Sequence, residues 1–135
     1  MAYPIDTIEG IGPKHAKKMR AAGINTCERL LDWGATRKGR KEIAEATGFD
    51  TKVILKWVNF SDLMRIKGVG EEYSELLEAA GVDTVKELRT RNAKNLADKM
   101  AEVNAKKKLV RVVPSEKRTT DWVAQAKALK PMVSY

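Results

Sequence analysis

A chain of 135 residues with 43% hydrophobic residues can bury the core of one domain, or of two small ones that share it, and 33% charged residues suit short helices with solvated outer faces. The formal net charge of +8 directs attention to an anionic partner. One cysteine, Cys27, excludes an internal disulfide, no stretch reaches the roughly 18 apolar residues of a membrane span, and the opening M-A-Y-P-I-D lacks signal-peptide character, so a cytoplasmic protein without membrane contact is expected.

In chain order, Ala2 to Thr7 are expected to be extended, with Tyr3 and Ile5 tucked against the first helical unit. Ile8 to Ile24 reads I-E-G-I-G-P-K-H-A-K-K-M-R-A-A-G-I. Gly10 and Gly12 flank Ile11 and predict a tight hairpin, its backbone in conformations a Cβ resists and Ile11 anchored in a core. Pro13 suits the first turn of a helix, Ala16, Met19 and Ala22 share one face of it, and Gly23 ends it. Thr26 caps a helix over Cys27 to Trp33 that Gly34 closes. Thr36 caps another over Arg37 to Thr47, with Ile43, Ala44 and Thr47 as a narrow apolar stripe and Gly48 as its stop. Asp50 or Thr51 caps the next, whose Val53, Ile54, Trp57, Val58 and Phe60 are expected to face inward.

The hairpin phrase then returns at Ile66 to Val82 as I-K-G-V-G-E-E-Y-S-E-L-L-E-A-A-G-V. Gly10, Gly12 and Gly23 recur as Gly68, Gly70 and Gly81, Thr26 as Thr84 and Leu30 as Leu88, each 58 positions on. A repeat in constant register describes one unit built twice. Ser61 to Ile66 supply a helix before the second hairpin that the first copy lacks. Leu76, Leu77 and Ala80 repeat the apolar face, and Thr84-Val-Lys-Glu87 forms a capping box. Helices are expected at Val85 to Arg89 and Lys94 to Val103. Ala105 to Pro114, A-K-K-K-L-V-R-V-V-P, reads as an extended connector, and a last helix runs from near Ser115 to about Lys130, with Pro131 beyond it. Trp122 takes the place of Trp57 at an offset of 65. Trp33, Trp57 and Trp122 are expected in the core, and Cys27, in register with Val85, as a small core residue.

Two glycines around one aliphatic residue, followed by a helix, resemble the helix-hairpin-helix motif of sequence-independent DNA binders. The longer pattern, with A-G-h-x-T after it, is similar to the amino-terminal domains of archaeal and eukaryotic strand-exchange recombinases. The two copies, with Gly39-Arg40, Trp57-Val58-Asn59 through Asp62-Leu63, Pro114-Ser115, Trp122 and Tyr135, resemble over nearly the whole chain a bacterial family of unknown function that carries two such units. The fold expected is all-α, with tandem helix-hairpin-helix units at 1–60 and 61–135 packed as one pseudo-two-fold helical domain. The same hairpin also serves elsewhere as a structural or protein-binding element.

Catalysis finds little foothold. One His and one Cys make no metal-ligand set, G-I-G-P-K-H-A lacks the spacing of a phosphate-binding Walker loop, and adjacent carboxylates such as Glu71 and Glu72 read as solvated. No enzyme activity and no cofactor is expected. A glycine hairpin that opens a helix does present N–H groups and a positive helix end to an anion. Gly10, Ile11 and Gly12 are the candidate phosphate loop, with Lys14, His15, Lys17, Lys18 and Arg20 behind them and Arg37 and Lys38 extending the footprint. Further basic groups lie at Arg40, Lys41, Lys106 to Lys108, Arg111, Lys117 and Arg118; Arg40 has a second reading as the ion-pair partner of a carboxylate in the other unit. After Gly68, Val69 and Gly70 come Glu71, Glu72, Glu75 and Glu78, so the second hairpin is read as structural. Tyr73 stands at the position of His15 and is expected to be partly exposed. The function expected is non-catalytic, sequence-independent binding of a nucleic-acid backbone, DNA in the first place. The alternative is a protein-interaction adaptor or self-associating scaffold with faces of opposite charge.

Overall fold

The computed structural model describes residues 3–8 and 10–135; Met1, Ala2 and Glu9, and with Ala2 the start of the expected extended segment, lie outside them. Among the described residues the chain is all-α: a 3-10 turn at Ile5–Thr7, then α1 (Pro13–Ala21), α2 (Cys27–Gly34), α3 (Arg37–Thr47), α4 (Thr51–Leu63), α5 (Gly70–Ala79), α6 (Val85–Leu88), α7 (Ala93–Lys107) and α8 (Glu116–Ala128). No described helix is long and apolar enough to cross a membrane. The chain divides into two compact units, Met1–Asp62 with Met132–Tyr135 and Leu63–Pro131.

Helix starts follow from short polar side chains that accept a first-turn N–H. Thr26 takes that of Arg29 at 3.1 Å, Thr36 that of Gly39 at 3.1 Å, Thr84 that of Glu87 at 3.2 Å, Asn92 that of Asn95 at 3.0 Å and Ser115 that of Arg118 at 3.1 Å. α1 and α5 stop alike. The Ile24 N–H reaches back to the Met19 carbonyl at 2.9 Å and the Val82 N–H to that of Leu77 at 2.8 Å, which folds buried Ile24 and Val82 under the helix each of them ends. In the first unit Ile5, Met19, Leu30, Ile43 and Ile54 are wholly buried. In the second, Leu76, Leu77, Val85, Leu88, Met100 and Trp122 form the core.

Several expectations need correcting. The segment before the first hairpin is not simply extended: Pro4 bridges Thr26 and the chain then turns through Ile5–Thr7. Trp33 is half-buried, because the inward stripe of α2 is Cys27, Leu30, Leu31 and Gly34 and position 33 falls off it. Its Nε1 donates to Glu42 at 3.2 Å, and the Arg29 guanidinium lies 5.3 Å from its ring. Val53, 39% exposed, likewise falls off the buried stripe of Ile54, Trp57, Val58 and Ser61. The basic run is helical through Lys107, since lysine is a good helix former and cations in a last turn face the carbonyl end. Only after Lys108, in left-handed backbone at φ +51°, does the chain leave α7. Arg40 is 4% exposed and donates to the carbonyls of Gly34 at 2.9 Å, Ala35 at 3.1 Å and Ser134 at 2.6 Å. It ties the last residues to the corner between α2 and α3, and the charge of Tyr135 also acts on it.

Cys27 is 1% exposed, its Sγ donates to the Pro4 carbonyl at 3.4 Å, and burial pushes its thiol up to about 12. The folded chain is expected to resist alkylation at about pH 8 and to react once unfolded; fast modification of the folded chain would contradict this burial. Because the folded thiol titrates higher than the ordinary value of 9.0, its stabilising contribution is complete below pH 9 and is lost as pH rises toward 12. Denaturant midpoints measured on either side of pH 9 check the sign.

Candidate nucleic-acid interface

In the first hairpin the Ile11 N–H donates to the Ile8 carbonyl at 3.1 Å, across Gly10 at φ +94°. A side chain at Gly10 would be strained there, and its Cβ would stand 3.8 Å from Trp57 Nε1. Ile8 and Ile11 are buried and pin the turn from below. Gly12 then lies in extended backbone as the N-cap of α1, exposed, with nothing within 4 Å of where its Cβ would be. Among the described residues no side chain caps α1. Pro13 fills the first helical position without an N–H, and the first-turn N–H groups of Lys14 and His15 have no carbonyl one turn back within the helix. The positive end of α1 therefore opens beside exposed Gly12, Pro13 and Lys14.

Lys14, Lys17 and Lys18 are exposed on α1, and Lys18 Nζ lies 5.6 Å from the centre of the Phe49 ring. His15 is half-buried: it meets Phe49 edge-on at 5.0 Å and Trp57 at 6.0 Å, and those two rings meet edge-on at 5.1 Å. His15 Nδ1 is buried without a hydrogen-bond partner among the described residues. His15 thus props the start of α1 from the protein side, and that nitrogen is turned away from any ligand at the surface.

The second hairpin closes in the same way, Val69 N–H to Ile66 carbonyl at 3.2 Å across Gly68 at φ +92°. Its surroundings differ. Arg118 of α8 donates to the Gly68 carbonyl at 3.3 Å, and Gln125 of α8 accepts from the Lys67 N–H at 2.8 Å and donates to the Lys67 carbonyl at 3.1 Å. Arg118 also lies over Tyr73 at 4.8 Å and Trp122 at 5.7 Å and donates to the Tyr73 hydroxyl at 3.3 Å. Tyr73, half-buried, donates in turn to the Val112 carbonyl at 3.0 Å. α5 opens with exposed Glu71 and Glu72, whose carboxylates suit the positive helix end and repel phosphate. At the offset of 65 that matches Trp122 with Trp57, Arg118 and Gln125 correspond to Val53 and Phe60, which have no polar group to give the first hairpin. The sequence marks Arg118 only as a basic group and gives Gln125 no local signal; that offset is the signal that could have found both.

Arg37 and Lys38 are exposed at the start of α3. Arg37 lines a cavity of about 220 Å³ with Arg40, Lys41, Thr51, Lys52, Leu55 and Tyr135, and no hairpin residue lines it. That cavity gathers Arg37, Arg40, Lys41 and Lys52 into a second basic place besides the hairpin with α1.

A family model described as a domain of unknown function (DUF4332) matches residues 9–129, and the chain belongs to that family. No curated protein and no solved structure matches it.

Proposed function

We propose that this member of the DUF4332 family is a non-catalytic nucleic-acid-binding protein that holds the phosphate backbone, of DNA in the first place, through its first hairpin and without sequence preference. In this reading each glycine hairpin with its neighbouring helices is a helix-hairpin-helix unit. The first, residues 1–60, binds; the second, 61–135, is scaffold. A cytoplasmic location belongs to the same reading.

The observation that carries it is the asymmetry of the two hairpins. Neither N-cap residue, Gly12 or Val69, gives a side-chain cap; Gly10–Gly12 leads into a helix start beside Lys14, Lys17 and Lys18, whereas Gly68–Gly70 is held by Arg118 and Gln125 and fronted by Glu71 and Glu72. Backbone N–H groups at a helix start fit phosphate oxygens, and the lysines add charge without reading a base edge.

The test is fluorescence anisotropy with mixed-sequence duplex and single-stranded DNA across a salt series. Each phosphate contact contributes about 0.9 to the slope of log affinity against log salt, so K14E/K17E/K18E is expected to flatten that slope by roughly 2–3 units. Its melting temperature is expected to stay that of the wild type, because all three side chains are exposed. A slope unchanged by the three reversals would overturn the proposal.

A further inference from the structure

α1 and α5 are the same helix in repeat register, yet their outward positions carry opposite charge. At the offset of 58, Lys14 corresponds to Glu72, Lys17 to Glu75 and Arg20 to Glu78. Five of these six are exposed and Glu75 is half-buried. Among the described residues only Arg20 of the six has an ion-pair partner, Asp6 at 3.8 Å. On each helix the charges recur every three residues, about 4.5 Å along the axis, so two such helices laid side by side can match charge at every step.

We propose that a second copy of this chain docks through these faces, the basic face of α1 in one copy against the acidic face of α5 in the next. The inference does not rest on the nucleic-acid reading, although the two would compete for Lys14 and Lys17. The contact pairs two different patches, the basic face of one copy with the acidic face of another. Exposed ion pairs are individually weak, so association is shallow in concentration and sensitive to salt.

The net charge of +8 sets a sharp test, because like-charge repulsion between copies works against association. K14E/K17E/R20E makes three reversals of two charges each and lowers the net charge to +2; E72K/E75K/E78K raises it to +14 by the same arithmetic. Repulsion alone would make the first variant associate more than the wild type. Complementary faces require that both variants lose association, and that the six-fold variant, again at +8 with the signs exchanged, regains it.

Sedimentation velocity on the full chain, free of nucleic acid, is the measurement. At about 0.01 M salt, where screening reaches about 30 Å, the wild-type mass is expected to rise with concentration above 15.1 kDa, and at 1 M salt to return to it. The two triple variants, each monomeric alone and each checked for a wild-type melting curve, are expected to co-sediment when mixed. A wild type that stays monomeric at low salt, association retained by either triple variant, or a mixture that does not co-sediment would overturn the proposal. Phosphate binding is judged separately, by the salt slope of K14E/K17E/K18E, so either reading can fail without the other.

Discussion

Gly39→Ala is expected to lower stability by about 3 kcal/mol or more, which for a unit of this size means a melting temperature lower by roughly 12 °C or more. A Cβ on Gly39 would lie 1.8 Å from the Trp33 carbonyl oxygen, 3.0 Å from its carbon and 3.3 Å from Thr36 Oγ1. The first two are backbone atoms of α2, and the third caps α3. None can step aside without reopening the corner where Arg40 gathers the carbonyls of Gly34, Ala35 and Ser134. Helix propensity argues the other way, since alanine is better than glycine inside a helix by about 1 kcal/mol. An overlap with backbone at 1.8 Å outweighs that gain. Gly12→Ala is the control: its φ is −82° and its Cβ would meet nothing within 4 Å, so a change within about 0.5 kcal/mol is expected. Thermal melts followed by far-UV circular dichroism compare the two. Near-wild-type melting of Gly39→Ala would mean that α2 and α3 do not approach so closely.

The contrast between those two glycines also separates what a sequence displays from what it conceals. Caps act over three residues, so Thr26, Thr36, Thr84 and Ser115 were legible as helix starts, and α3 was readable as Arg37–Thr47. The hairpin glycines were legible for the same reason, since Gly10 and Gly68 each serve a turn closed within three residues. The phase of a stripe is less secure in short helices, which is why Trp33 and Val53 are expected inward while Trp33 is only half-buried and Val53 is exposed. Contacts remote in sequence leave no local mark. Nothing near Arg40 announces Ser134, 94 residues away, and nothing near Gly68 announces Arg118, 50 residues away. At the candidate site the lysines of α1 were readable because they stand just beyond the hairpin on one helix. Nothing in the sequence near Arg37 announces the cavity that it lines with Thr51, Lys52, Leu55 and Tyr135.

Trp122→Ala is expected to cost about 3–5 kcal/mol, the range for removing a large aromatic ring from a core. Trp122 is 1% exposed and belongs to the core of the second unit. Its Nε1 stands 3.3 Å from where a Cβ on Gly68 would be, its ring lies 5.4 Å from Tyr73, and Arg118 stacks at 5.7 Å. Truncation removes the floor of the second hairpin and the surface that steadies Arg118 against the Gly68 carbonyl. Trp122→Phe keeps part of that surface, and a smaller loss is expected in the same melts. The same substitution tests the division of labour between the hairpins. Well below its lowered transition, Trp122→Ala is expected to bind DNA with the salt slope of the wild type, because Glu71 and Glu72 already turn phosphate away from α5 and α8 already holds the backbone of Lys67 and Gly68. K14E/K17E/K18E is expected to do the reverse, keeping the melting curve and losing the slope. A flattened slope in folded Trp122→Ala would place the second hairpin in the interface and end the assignment of phosphate contact to the first alone.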